Sequence, residues 1–114
     1  MNKVKVLVKS PGQYPEVREI EPTYNAVRDT IDDWLEVIPC TPQHDNGIIY
    51  YCSEEGKLRD LAPNITLLDS EGNESEVIVG PILVVKYDEN DCIISLSEDE
   101  IAFHKNWLDV RSKK

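Results

Sequence analysis

The apolar and polar positions at the start of the chain alternate as they do in a β-strand. Between Lys3 and Lys9, valine stands at every second position and lysine fills most of the others. This pattern predicts a half-buried strand whose lysines, Lys9 included, form a basic outer face. The segment 10–13 (Ser-Pro-Gly-Gln) is a turn signal, and Val17 and Ile20 follow among charged residues. A second strand that pairs back on the first as a hairpin is therefore expected.

Two stretches repeat apolar residues at the helical spacing of three and four. The first follows Pro22, which suits the first turn of a helix, and predicts about three turns that end near Leu35. The second begins at Ser97, which forms a capping box with Glu100, and continues to Val110. Its predicted apolar arc consists of Ile101, Phe103, Trp107, Leu108 and Val110.

The pattern between the two helices predicts short strands separated by turns. Leu35–Ile38 forms a short strand, and Ile48–Cys52 forms another that is rich in β-branched and aromatic residues. The segment Leu58–Leu68 is apolar but irregular, which indicates a packed connection with one short strand.

A nearly continuous apolar run, Val77–Val85, is typical of a strand that is covered on both faces. Gly80-Pro81 interrupts the run, and because proline cannot donate to a sheet, a bulge or bend is expected there. Cys92–Leu96 then predicts the return strand of a hairpin. Together these elements predict an α+β fold with a mostly antiparallel sheet of about five to six strands and two helices, the second C-terminal.

The length and composition fit a single domain. With 114 residues, of which 40% are hydrophobic and 30% charged, residues 1–114 can build one core, and only 111–114 are expected to fray. The N-terminus lacks the apolar stretch of a secretion signal, and no apolar run is long enough for a membrane span. Cys40, Cys52 and Cys92 form no Cys-x-x-Cys pair, which is typical of reduced thiols. A cytoplasmic protein without a membrane partner is therefore expected.

An excess of acidic residues gives the chain a formal net charge of −10. Direct nucleic-acid binding is not expected, because that binding relies on Lys and Arg to neutralise phosphates. Residues 41–85 carry 8 acidic and 2 basic residues, so most of the excess lies in the middle of the chain. If these acids converge, they form one acidic binding face made of Asp45, Glu54, Glu55, Asp60, Asp69, Glu71, Glu74 and Glu76.

Few side chains in the sequence suggest chemistry. His104 falls within the apolar arc of the second helix and is expected to be half-buried with one hydrogen-bond partner. His44, Asp45 and Cys40 share a loop, but zinc sites usually need four ligands in paired short spacings, so no metal is expected. No nucleophile pair or phosphate-binding loop is present, so we expect no catalytic residue, no cofactor and no enzyme activity. A small-ligand pocket, if there is one, would use the polar residues near apolar segments, namely Tyr50, Asn64 and His104.

A series of strand and turn motifs extends through nearly the whole chain. The motifs are 4–8 (VKVLV), Pro11-Gly12, 15–20 (PEVREI), 35–38 (LEVI), 55–58 (EGKL), Pro63-Asn64, Asp69, Gly72-Asn73, 79–85 (VGPILVV) and 95–101 (SLSEDEI). Their order resembles domain of unknown function family 3846, small proteins of bacteria, phages and mobile elements. In that family an arginine follows the Pro-Asn pair, whereas Ile65 stands here, so no role of that arginine carries over. The resemblance implies no activity, but it implies a setting in which accessory proteins bind host factors.

The acidic charge and the implied setting favour a non-enzymatic interaction protein of a phage or mobile element. Its protein partner is unknown, and the target class would be a host defence or nucleic-acid enzyme. A mimic of DNA is disfavoured, because a duplex as long as the domain carries about 20 charges. A net charge of −10 spread over all faces imitates that density poorly. The alternative hypothesis is a small-ligand, nucleotide-like binding module.

Overall fold

The computed structural model describes residues 2–113, and Met1 and Lys114 lie outside the described residues. The fold is α+β, as the sequence predicts. In chain order the elements are β1 (Val4–Lys9), β2 (Glu16–Ile20), α1 (Tyr24–Ile31), β3 (Leu35–Val37), a 3-10 turn (His44–Asn46), β4 (Ile48–Ser53), β5 (Pro63–Leu68), β6 (Glu74–Val79), β7 (Ile82–Tyr87), β8 (Ile93–Ile94) and α2 (Glu98–Val110).

Six of the described strands form one antiparallel main sheet. Its order is β2-β1-β7-β4-β3, with β8 paired to the end of β7. Strand β8 is shorter than the predicted Cys92–Leu96, because the backbone amide of Leu96 instead donates to the carbonyl of Lys5. Strands β5 and β6 form a separate two-stranded sheet, which the sequence did not indicate.

Apolar residues cover both faces of the main sheet. Helix α1 packs on one face through Val27 and Ile31, while α2 and the two-stranded sheet cover the other. Strand β7 contributes to both clusters, since Ile82 and Val84 point to one side and Leu83 and Val85 to the other. All four of these β7 side chains are fully buried, which confirms the prediction of a strand covered on both faces.

The apolar run that was predicted as one strand is divided between the two sheets. The bend at Gly80-Pro81 is present, but it separates β6 of the two-stranded sheet from β7 of the main sheet. Gly80 adopts φ +77, and its amide donates to the carbonyl of Ala62 at 2.8 Å. The positive φ favours glycine here, and a Cβ atom would lie 2.7 Å from Leu61 Cδ1, so a larger residue would also displace the end of that side chain.

Helix α1 is shorter than the three turns that the spacing predicts. Thr23 caps its N-terminus, where Oγ1 accepts from the amide of Ala26 at 3.1 Å. Asp32 ends the helix in the left-handed conformation, with φ 61 and its amide donating to the carbonyl of Arg28. Leu35 therefore belongs to β3 rather than to the helix.

Helix α2 begins and ends close to the predicted residues. The capping box is confirmed: Glu100 N donates to Ser97 Oγ at 3.2 Å, and Ser97 N donates to Glu100 Oε1 at 2.8 Å. Residues 111–113, expected to fray, instead pair with β5, since Ser112 bridges to Ile65. No helix within residues 2–113 is long and apolar enough to cross a membrane.

Candidate functional site

A groove separates the edge of the main sheet from the two-stranded sheet. Its walls are two runs of consecutive residues, Glu36–Pro39 and Glu76–Val79, and its volume is about 280 Å³. Residues 52–54 at the end of β4, with Lys57 and Leu58 from the following turn, complete the lining of what we call the inter-sheet groove. Because successive side chains in a strand point to opposite faces, a wall that presents four consecutive residues is a strand edge.

The hydrogen bonds of the two walls show which backbone groups face the groove. Ile38 N donates to Tyr50 O, so Ile38 and Tyr50 are a hydrogen-bonded pair. Hydrogen-bonded and non-hydrogen-bonded pairs alternate along an antiparallel ladder. The neighbouring residue Val37 is therefore in a non-hydrogen-bonded pair, and it directs its N–H and C=O away from β4. In the other wall, Thr66 N donates to Arg111 O and not to β6. Thr66 and its ladder partner Val77 are therefore a non-hydrogen-bonded pair, and Val77 directs its N–H and C=O away from β5. Each wall is therefore a strand edge at which the N–H and the C=O of one residue, Val37 or Val77, make no hydrogen bond within their own sheet.

The inter-sheet groove carries a net negative charge. Among the described residues that line it, Lys57 is the one cation, and three are glutamates: Glu36, Glu54 and Glu76. Lys57 Nζ lies 3.7 Å from Glu76 Oε1, and both side chains are largely exposed, so this ion pair contributes little free energy. Two apolar side chains also face solvent here, since Val37 is 49% and Leu58 89% exposed. The surface thus combines acidic, apolar and backbone hydrogen-bonding groups.

The eight acidic residues of the predicted face come from several different turns and strands. Glu54 and Glu76 come together in the groove, and Asp69 lies with Glu76 in an adjoining depression beside Trp107. The others occupy separate positions: Asp45 in the 3-10 turn before β4, Glu55 and Asp60 in the turn after β4, Glu71 in the β5–β6 turn, and Glu74 beside Lys113. Asp45 and Glu54 are at opposite ends of β4. Sequence reasoning missed Glu36, because it lies outside the acid-rich middle of the chain.

Tyr50 and His104, two of the predicted pocket residues, meet in the core. His104 is fully buried with two partners, which corrects the expected half-buried side chain with one partner. Its Nε2 donates to Gln43 Oε1 at 2.8 Å, and its Nδ1 accepts from the Tyr50 hydroxyl. Since an amide oxygen can only accept, this arrangement requires the Nε2–H tautomer. Burial lowers the pKa of His104 to about 4 and raises that of Tyr50, so both side chains are neutral near pH 7.

The third predicted pocket residue, Asn64, is fully buried in a different polar cluster. Its Oδ1 accepts from Lys9 Nζ at 2.9 Å, while its Nδ2 donates to the carbonyls of Lys9 and Gly80 at 2.7 Å each. Lys9 was predicted on the outer face of β1, yet it is fully buried and also donates to the carbonyl of Ser10. Burial lowers the pKa of Lys9, and the carboxylate of Asp109 partly opposes this effect. Asn64 thus joins β1 to the point where the chain changes sheets.

The three thiols are free and lie in different environments. Cys40 and Cys92 are exposed, whereas Cys52 is buried beside the groove. Burial, together with Glu36 and Glu76, raises the pKa of Cys52 to about 12, so this thiol is protonated and weakly nucleophilic. Within residues 2–113, no three histidine, cysteine or acidic side chains are placed to share a metal ion.

A family model matches nearly the whole chain. No curated protein and no solved structure matches the chain. The family model described as Domain of unknown function (DUF3846) matches residues 4–109, which include β1 through nearly all of α2 and both walls of the groove. A match over nearly the whole chain shows that the protein belongs to the DUF3846 family.

Proposed function

We propose that this protein is a non-enzymatic interaction protein that binds a protein partner through the inter-sheet groove. The observation that carries the proposal is the convergence of Glu36, Glu54 and Glu76 on a groove whose walls are strand edges. Electrostatic complementarity of this kind steers association and selects partners of opposite charge. In the setting implied by the family, the partner is a host defence or nucleic-acid enzyme with a basic surface.

The hydrogen bonds of the buried polar residues weigh against a catalytic role for His104 and Asn64. Both ring nitrogens of His104 are engaged with protein groups, and the side chain of Asn64 uses its oxygen and both amide hydrogens within the fold. A general acid or base must instead reach the proton it transfers. The same bonds weigh against the small-ligand alternative at Tyr50, Asn64 and His104, because those polar atoms already have protein partners.

Affinity capture from host lysate tests the proposal, with a groove variant and a matched control. The groove variant is E36K/E54K/E76K. The control is E21K/E71K/E89K, which makes the same change of net charge at exposed glutamates that do not line the groove. We expect wild type and control to retain a partner that the groove variant loses, with weaker capture as salt rises. Equal capture by all three proteins would contradict a role for the groove.

A further inference from the structure

We infer that the inter-sheet groove takes an extended, lysine- or arginine-bearing segment of the partner, which adds to β6 as a new strand. This inference rests on the proposed function and specifies its binding mode. Among the described residues, strand β6 pairs with β5 on one side and with no strand on the other, and Val77 directs its N–H and C=O away from β5. An extended peptide satisfies such groups directly, which is the basis of recognition by strand addition.

The length of β6 distinguishes it from the opposite wall. Strand β6 has six residues, whereas β3 has three, so β6 offers the longer ladder. An extended chain needs an open groove with an edge along it rather than an enclosed cavity. The longer ladder therefore makes β6 the wall to which an added strand pairs.

Charge determines which strands this edge accepts. Exposed strand edges pair non-specifically unless charged residues or other devices block them. The charged residues beside this edge include Glu36, Glu54 and Glu76, which repel acidic segments and attract basic ones. Side chains of an added strand alternate in direction. Basic residues at every second position can therefore approach the glutamates, while apolar residues between them approach Val37 and Leu58.

Synthetic peptides provide the probe. The basic peptide is a fluorescein-labelled octapeptide of alternating lysine and valine, and the acidic peptide has glutamate in place of lysine. Two further forms of the basic peptide are N-methylated at alternate amides. Each form blocks the backbone donors along one of the two edges of the extended peptide. Fluorescence anisotropy should show that the basic peptide binds and the acidic peptide does not. At least one N-methylated form should bind tenfold more weakly or worse, because it loses the backbone donors that face β6. Equal affinity of both methylated forms and the parent peptide would overturn strand addition.

Two proline variants of the protein test whether the peptide pairs with the edge of β6 or with that of β3. V77P removes the N–H that β6 directs into the groove, and V37P removes the equivalent group of β3, at positions where an edge strand tolerates proline. We expect at least a tenfold loss of affinity for V77P and less than a threefold loss for V37P, with thermal unfolding as the check on folding. No loss in V77P, or a loss only in V37P, would refute addition to β6. If V77P does not fold, the N-methylated peptides decide the question alone.

The outcomes separate this inference from the proposed function. If the basic peptides do not bind, while E36K/E54K/E76K still abolishes capture of the cellular partner, strand addition is wrong and the groove remains the interface. If E21K/E71K/E89K weakens the basic peptide as much as the groove variant does, the attraction comes from the net charge and the inference fails. Protection of the Val77 amide from hydrogen exchange by the basic peptide is the expected supporting result.

Discussion

Replacing His104 with glutamine should remove a large pH-dependent contribution to stability. His104 is fully buried, and its Nε2 donates to Gln43 Oε1 at 2.8 Å. A glutamine side chain is neutral at every pH and can keep an amide donor near Gln43. The two proteins therefore differ mainly in whether residue 104 can take up a proton when the chain unfolds.

The magnitude follows from the pKa of the imidazole in the two states. Burial lowers the pKa of His104 from 6.5 to about 4 in the folded protein, with a smaller opposing effect from Glu100. Above pH 6.5 the imidazole is neutral in both states, and the folded protein has its full stability. As the pH falls towards 4, the unfolded chain binds a proton that the folded chain excludes, so stability is lost. The loss amounts to about 2 kcal/mol at pH 5 and about 3 kcal/mol at pH 4.

Urea unfolding followed by tryptophan fluorescence provides the assay, because Trp107 packs edge-on against Tyr50 beside the imidazole. Wild type and H104Q should be compared at pH 7, 5 and 4 at constant ionic strength. We expect the wild-type advantage at pH 7 to shrink by about 3 kcal/mol at pH 4. The control Y50F keeps the imidazole and should keep its pH dependence. A difference between wild type and H104Q that stays constant over this range would refute the reasoning.

Three further substitutions test other parts of the fold by urea or thermal unfolding. N64A should lower the free energy of unfolding by about 3 kcal/mol, because it leaves the Lys9 ammonium and two carbonyls without their partner. A double-mutant cycle with K9M should show at least about 1 kcal/mol of non-additivity, and strictly additive losses would contradict the cluster. T66V should raise stability by about 1 kcal/mol, since within residues 2–113 the buried Oγ1 of Thr66 finds no hydrogen-bond partner; an unchanged or lower stability would count against this. G80A should cost about 2 kcal/mol and more than G72A, which shares a positive φ but has open space around it; equal losses would exclude a steric contribution.

Local signals in the sequence predicted the elements that depend on few neighbours. The capping box of Ser97 and Glu100 needs only one turn of backbone, and it forms as expected. The alternation in β1 and its hairpin with β2 were equally readable, because both follow from residues adjacent in the chain. The same reasoning failed for Lys9, since the end of β1 is covered by Asn64, a residue of β5 that is distant in the sequence. Alternation predicts a face of the strand but not whether another element covers it.

For the groove, the sequence alone determines some properties, and the tertiary structure determines the others. Composition alone determines the acidic charge, and the apolar run alone determines that β7 is buried on both faces. Glu36 and Glu76 are far apart in the chain, and they line the same groove because the two sheets pack together. Their position also depends on β3 and β6 being edge strands of those sheets. A glycine with positive φ at position 80 lets one apolar run serve both sheets. Short-range patterns encode the elements, whereas the proposed binding surface arises from the strand edges that long-range pairing leaves open.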